Sequence, residues 1–365
     1  MTESTFRPNW ASPVGETVAQ LMSAGGIDDS TLAAHLGTTI NETRSVLSGV
    51  TPLSLEFAEK ISEILGGSPA FWLKRDSSFR ENAEKIPKRY RYEKEWFRSF
   101  PVRELVDLGW IEANVGEVEK ANQLLDFFGV YLSKQWKYRY PQASFASAFR
   151  TSRSFGLKHE AVATWLRQGE RKASEIECAN WDRELFKTRL LEARALTRNR
   201  HPARFFPKLQ KLCSECGVAL AAVPAPSGCP ASGATQFLTR SKALIILSFR
   251  FKSDDHFWFS FFHEAGHLLL HNPDAIFIDD DLSQDDSEAE REANEFAQSL
   301  LIPSEHREAM LRLPAHHGEV IRAALTLGIA PGIVVGQMQK EGVIPYNYLN
   351  KLKRRYKQSD IAAVF

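Results

Sequence analysis

Apolar positions along this chain recur mostly at helical spacing, and one stretch breaks that rhythm. Near the start, helices are predicted over residues 15–22, 29–36, 41–49 and 54–65. Gly25-Gly26 ends the first, Asp28 or Asp29 caps the second, and Gly37 closes it before the turn Thr38-Thr39-Ile40. Leu32, Ala33, Gly37, Ile40 and Leu47 fall where a helix-turn-helix needs its packing residues and its tight turn. From residue 101 to about 200 the pattern is helical throughout, with amphipathic segments at 103–114, 117–128, 159–168 and 181–197. A further helix is predicted over 202–217. The rhythm then changes to three strand-like runs at 217–223, 235–239 and 243–248, the first two separated by a Pro-, Gly- and Ser-rich loop.

After those strands comes the helical run Phe261-Phe262-His263-Glu264-Ala265-Gly266-His267, embedded by the aromatic stretch 256–259 and stopped by Pro273. Residues four apart share a helix face, so His263 and His267 can present two imidazoles to one zinc ion. Glu264 then lies beside the metal, where a base is needed to take a proton from water. A catalytic zinc keeps three protein ligands and an open position. On a straight helix His271 cannot share an ion with His263, because eight residues at 1.5 Å each put them roughly 12 Å apart. The helix predicted over 287–297 offers four glutamates. At about 100° per residue, Glu290 shares a face with Ala293, Asn294, Ala297 and Leu301, while Glu288, Glu292 and Glu295 face solvent. A carboxylate on the buried face needs a compensating partner, and a metal would supply one. Asn294 is spaced to hydrogen-bond a ligating imidazole. Two alternatives stand beside Glu290 as ligand: that Ser287 and Glu290 merely form a capping box, and that Glu292 ligates instead.

The run HEAGHLLLH followed by EREANEFAQSLLIP resembles the ImmA/IrrE family of bacterial zinc metallopeptidases. The resemblance implies a gluzincin-like site, with His263, His267 and Glu290 as ligands and Glu264 as catalytic acid/base. In the zincin arrangement it implies, an edge strand borders the cleft, where a peptide could add by main-chain hydrogen bonds. Residues 10–73 resemble the HigA-like branch of the Xre helix-turn-helix family, which makes Thr39 to Ser45 the recognition segment, with Thr39, Asn41, Arg44 and Ser45 as candidate DNA contacts. Fusions of these two kinds also carry helical middles like this one.

Charge complicates the DNA reading. Residues 1–66 hold Arg7, Arg44 and Lys60 against eight acidic side chains, a net of −5, whereas phosphate neutralisation supplies most DNA affinity. A protein-binding or dimerising helix-turn-helix is therefore the alternative. Nine Lys and Arg lie within residues 74–98, interleaved with aromatics, a mixture that suits nucleic acid. Five acids dilute it, which favours a solvated interdomain helix. The acidic stretch 279–286 reads most simply as solvated surface, with a cation site as the alternative.

The chain has 365 residues, 25% of them charged, a net charge of +1 and 43% apolar residues. That is too long for one ordinary core and shows no run of 18 apolar residues. Met1-Thr2-Glu3-Ser4 carries no signal-peptide pattern, so a cytoplasmic location is expected, with no membrane partner. Four cysteines are too few for a disulfide scaffold, and Cys213-x-x-Cys216 reads as ordinary thiols of a packed helix. The expected fold is multidomain and mostly α. It comprises an all-α helix-turn-helix unit (1–85), a helical connector or sensor (86–200) and an α+β zincin-like metallopeptidase (201–365). The expected activity is zinc-dependent cleavage of a specific partner protein, by the resemblance a repressor, in a transcriptional or stress regulator. The alternative is an antitoxin-like DNA-binding regulator whose zinc domain only senses or scaffolds. Expected partners are the protein substrate, DNA and a second copy of the chain. His316, His317, Tyr346 and Tyr348 are unranked candidates for an oxyanion donor.

Overall fold

A computed structural model describes residues 12–141, 158–279 and 287–365. The readings made above on Arg7, on Trp10-Ala11, on Met1 to Ser4 and on 280–286 lie outside the described residues. The chain divides into two compact units, residues 1–147 with 159–167, and 148–158 with 168–365.

In the first unit, five helices follow the apolar pattern: α1 (Val14–Gly25), α2 (Asp29–Leu36), α3 (Ile40–Leu47), α4 (Leu55–Leu65) and α5 (Pro69–Lys85). Asp28, Thr39, Ser54 and Ser68 each cap a helix by accepting a backbone N–H with the side-chain oxygen. The buried faces meet in a core that includes Val18, Leu32, Leu36, Leu47, Ile61 and Trp72. Next come α6 (Lys94–Ser99), α7 (Val102–Asp107), α8 (Glu117–Phe128) and α9 (Ser133–Arg139). The helix expected over 103–114 stops at Asp107, because the N–H of Trp110 turns back onto Leu105 O at 2.8 Å. Trp96, Phe100, Phe128, Trp136 and Tyr140 pack edge-to-face around α6, α8 and α9, a second apolar centre that periodicity alone does not reveal.

Four of the nine basic residues in 74–98 have hydrogen-bond or ion-pair partners within this unit. Arg80 pairs with Asp76, Lys88 with Glu119, and Arg91 donates to Ile86 O and Glu84 O. Arg75 is buried and donates to Ser12 Oγ.

Helix α10 (His159–Glu175) contributes its first half to the first unit and its second half to the second. The second unit continues with α11 (Arg183–Leu196), α12 (Pro202–Ser214), β1 (Val218–Ala222), β2 (Gly233–Thr239) and β3 (Lys242–Leu247). Then follow α13 (Asp254–Leu270), β4 (Phe277–Asp279), α14 (Glu288–Leu301), α15 (Ser304–Leu311), α16 (His317–Leu327), α17 (Pro331–Lys340) and α18 (Gln358–Ala362). The strands form one sheet in the order β1-β3-β2-β4, with β1 parallel to β3 and the other pairs antiparallel. All five residues of β1 and the last five of β3 are buried, so these strands are apolar without alternation.

Helix α13 lies against the sheet and against α14 and α17. Its Trp258, Phe261, Phe262 and Ala265 have no exposure, and they join β-strand and α17 residues in the main core. Cys213 and Cys216 are free, buried thiols of that core. Among the described residues no single helix is long and apolar enough to cross a membrane.

Candidate metal centre

The site begins with the packing of two helices. Gly266 lets α14 approach α13 closely: a Cβ there would lie 3.1 Å from the Phe296 ring and 3.2 Å from Ala293 Cα. On α14, Ala293, Ala297 and Leu301 are fully buried, and Glu290 and Asn294 sit on the same side. Ser287 caps the helix by accepting the Glu290 N–H. The Glu290 carboxylate itself turns to the histidines. Its Oε2 lies 3.1 Å from His263 Nε2 and its Oε1 3.3 Å from His267 Nε2. The two imidazole Nε2 atoms are 3.0 Å apart.

These separations suit a zinc ion. Bonds of about 2.0–2.1 Å in tetrahedral geometry set ligand atoms about 3.3 Å apart, close to all three values. Both rings are 2% exposed and are held from behind. His263 Nδ1 lies 3.2 Å from Asn294 Oδ1; the amide oxygen only accepts, so His263 donates there and turns Nε2 to the centre. The Phe277 ring stacks on His267, with centroids 4.2 Å apart and planes 14° apart.

Without metal, the centre shares protons. Burial acts against charge on His263, but hydrogen bonding to Glu290 and the charges of Asp279 and Glu290 outweigh it and raise its pKa. His267 is lowered to about 4, first by burial and also by the neighbouring His263. Burial alone would raise Glu290; its hydrogen bonds to the two imidazoles hold it well below the usual carboxylate range. Two buried nitrogens 3.0 Å apart do not both carry a proton toward each other, and the carboxylate stabilises the one that does.

Glu264 is fully buried, on the side of the centre that faces the sheet. A Cβ added at Gly233 of β2 would lie 2.3 Å from Glu264 Oε1, so only glycine leaves room for this carboxylate. Gly233 pairs across the sheet with Asp279 of β4. Ligand-type atoms of His263, Glu264 and Asp279 lie within 4.8 Å of one another, a second grouping that shares His263 with the first. Asp279 also accepts from the Ser232 hydroxyl at 3.0 Å. Of the two readings of the acidic stretch, solvated surface or a cation site, partly buried Asp279 fits the second, beside His263 and Glu264. The short apolar run Ala275-Ile276-Phe277-Ile278 just before it was the signal for the missed strand β4.

Residues 230–329 match the family model of the IrrE N-terminal-like domain, Peptidase_M78. In this stretch the chain is similar to a family of metallopeptidases of the IrrE/ImmA kind. No curated protein matches the chain. The IrrE-like domain, as matched, holds His263, Glu264, His267, Glu290, Asn294 and Asp279 together with β2, β3 and β4.

The other candidates lie elsewhere. Tyr346 is 70% exposed and lines a cavity of about 320 Å³ with Asp255, His256 and Lys353. Tyr348 is exposed, and His316 and His317 begin α16. In the first unit, Thr39 is buried and caps α3, and the Asn41 side chain accepts from Arg139 of α9. Arg44 donates to Asp29 at 2.5 Å, and Ser45 shares a hydrogen bond with Thr51 at 2.8 Å. Each of the four residues named for DNA contact thus makes a side-chain hydrogen bond inside the unit.

Proposed function

We propose that the second unit is a zinc-dependent endopeptidase acting on a specific partner protein. The observation that carries this reading is the convergence of His263 Nε2, His267 Nε2 and the Glu290 carboxylate at 3.0–3.3 Å, with the buried Glu264 beside them. Bound zinc would supply Lewis acidity and an acidified water. The chain's own residues do the rest. Glu264, held by the close approach of Gly233, accepts the proton of the attacking water and returns it to the leaving amine. Asn294 keeps the His263 ring oriented. Strand β4 ends the sheet order, and an edge strand suits an extended peptide added by main-chain hydrogen bonds.

In this reading the substrate is a specific protein, a repressor by family resemblance, and the first unit selects a partner or holds the peptidase silent. DNA recognition is the weaker role for that unit, since Asn41 and Arg44 are already engaged by Arg139 and Asp29. The test is metal analysis of the purified chain beside Glu264→Gln, with candidate repressors as substrates. Zinc at one equivalent in both, with cleavage by the wild type alone, is expected. Cleavage by Glu264→Gln at the wild-type rate would remove Glu264 from the chemistry, and a wild-type protein that binds no zinc would end the reading.

A further inference from the structure

Two residues of the histidine helix and its neighbour are left unused by the centre described above. Helix α13 ends at Leu270, and His271 caps it in an extended conformation. Its imidazole Nδ1 lies 2.9 Å from His267 Nδ1, on the side of the His267 ring away from Glu290. Its Nε2 lies 3.0 Å from the Glu292 carboxylate. Glu292 and Glu290 leave α14 on different sides, one reaching the back of the histidine pair and the other its front.

We infer that Glu292 and His271 form a relay that fixes the tautomer of His267, making both of them positioning residues for the metal centre. The inference rests on the zinc reading proposed above. A carboxylate can only accept, so His271 must carry its proton on Nε2. Neutral His271 then has a lone pair on Nδ1, which can only accept from His267. His267 therefore carries its proton on Nδ1, and its Nε2 presents a lone pair toward His263 and Glu290. Reversal of the chain would place a proton on His267 Nε2, the atom that faces the centre, and block coordination. The stack of Phe277 on His267 fixes the ring plane but not its tautomer; the relay adds that choice. His263 receives the same service directly from Asn294, so the two imidazoles are pre-set by different devices. This accounts for an arrangement that ligation cannot explain, a third histidine held 2.9 Å from a ligand's far nitrogen.

The test uses the full-length protein labelled with ¹⁵N-histidine, as wild type, His271→Ala, His271→Gln and Glu292→Gln, with Glu295→Gln as a control on the exposed face of α14. Long-range ¹H–¹⁵N spectra of the metal-free protein report each ring's tautomer, competition against a chromophoric chelator reports zinc affinity, and melting curves report folding. In the wild type, His267 should be protonated on Nδ1 and His271 on Nε2. His271→Ala should weaken zinc about 10- to 100-fold, the usual effect of losing such a partner, and give mixed tautomers at His267. His271→Gln retains an acceptor for His267 and should recover most of the affinity, which a merely space-filling role for His271 would not predict. Glu292→Gln should weaken zinc in the same direction by less, and Glu295→Gln should leave it unchanged. An Nε2-protonated His267 in the wild type, or wild-type affinity in a folded His271→Ala, overturns the relay. A wild-type chain that binds no zinc overturns the function proposed above instead, and the tautomer spectrum alone then decides the relay.

Discussion

Gly233 and Glu264 stand so close that a single methyl group at 233 would sit 2.3 Å from Glu264 Oε1. The strand and the histidine helix are thus fitted to each other at the carboxylate proposed as the base. Gly233→Ala should displace Glu264 while leaving His263, His267 and Glu290 in place. Overpacking of this kind costs about 1–3 kcal/mol, and a misplacement of about 1 Å at a reacting group costs on the order of 10²-fold in rate. The variant is expected to melt lower, keep its zinc, and lose cleavage by about that factor. Wild-type turnover by Gly233→Ala would show that Glu264 has more room than the packing suggests.

Glu290 and Glu292 separate by role. Glu290→Ala should remove zinc from the purified protein, because one of three converging donors is gone. Glu292→Ala should still purify with one equivalent, since its carboxylate contacts His271 and not the centre. The opposite pattern in metal analysis would exchange their roles.

Stability should depend on pH through Asp254, at the start of α13. Burial raises its pKa to about 6, against hydrogen bonds from the backbone of Arg354 and Asp255 that lower it. The native state therefore keeps a proton that the unfolded chain, near 3.8, has lost. Where the native state binds more protons, stability falls as pH rises, here from about 4 to about 6, and levels off above. The full difference corresponds to at most about 3 kcal/mol at 1.36 kcal/mol per unit. Asp254→Asn keeps an oxygen for the Arg354 and Asp255 N–H groups and removes the titration. Unfolding free energies of variant minus wild type should therefore rise across that window. A flat difference would mean Asp254 titrates near its ordinary value.

With Asn41 on Arg139 and Arg44 on Asp29, the intact chain should bind duplex DNA no more tightly than non-specific proteins do, with Kd at or above about 10⁻⁶ M at physiological salt. Asp29→Asn releases Arg44 for one phosphate contact. It should steepen the dependence of log K on log salt by about 0.9. Tight binding by the wild type, insensitive to salt, would restore DNA reading to the first unit.

What the sequence determined by itself was local. Helical spacing was enough to bring His263 and His267 to one side, because the i, i+4 relation is a property of any α-helix. The same periodicity separated Glu290 from Glu288, Glu292 and Glu295, since three small or apolar residues, Ala293, Ala297 and Leu301, marked the buried stripe of α14. The cap of the second helix was legible for a similar reason, since Asp28 bonds to an N–H three residues on; the caps Thr39 and Ser54, which do the same for the next two helices, were not read from the sequence. Only the tertiary structure decided which groups from distant segments meet. Strand β4 was too short to show an alternating pattern, and its pairing with β2 carries Asp279 to within reach of His263 and Glu264. The fit of Gly233 against Glu264 joins a strand to a helix across 31 residues of chain. Glu292 read as solvated surface from its place on the helix, with metal ligation as its alternative. It acquires a partner because α13 ends at Leu270 and turns His271 back toward α14. Periodicity describes one element at a time, and where an element ends against its neighbour depends on packing between segments far apart in the chain.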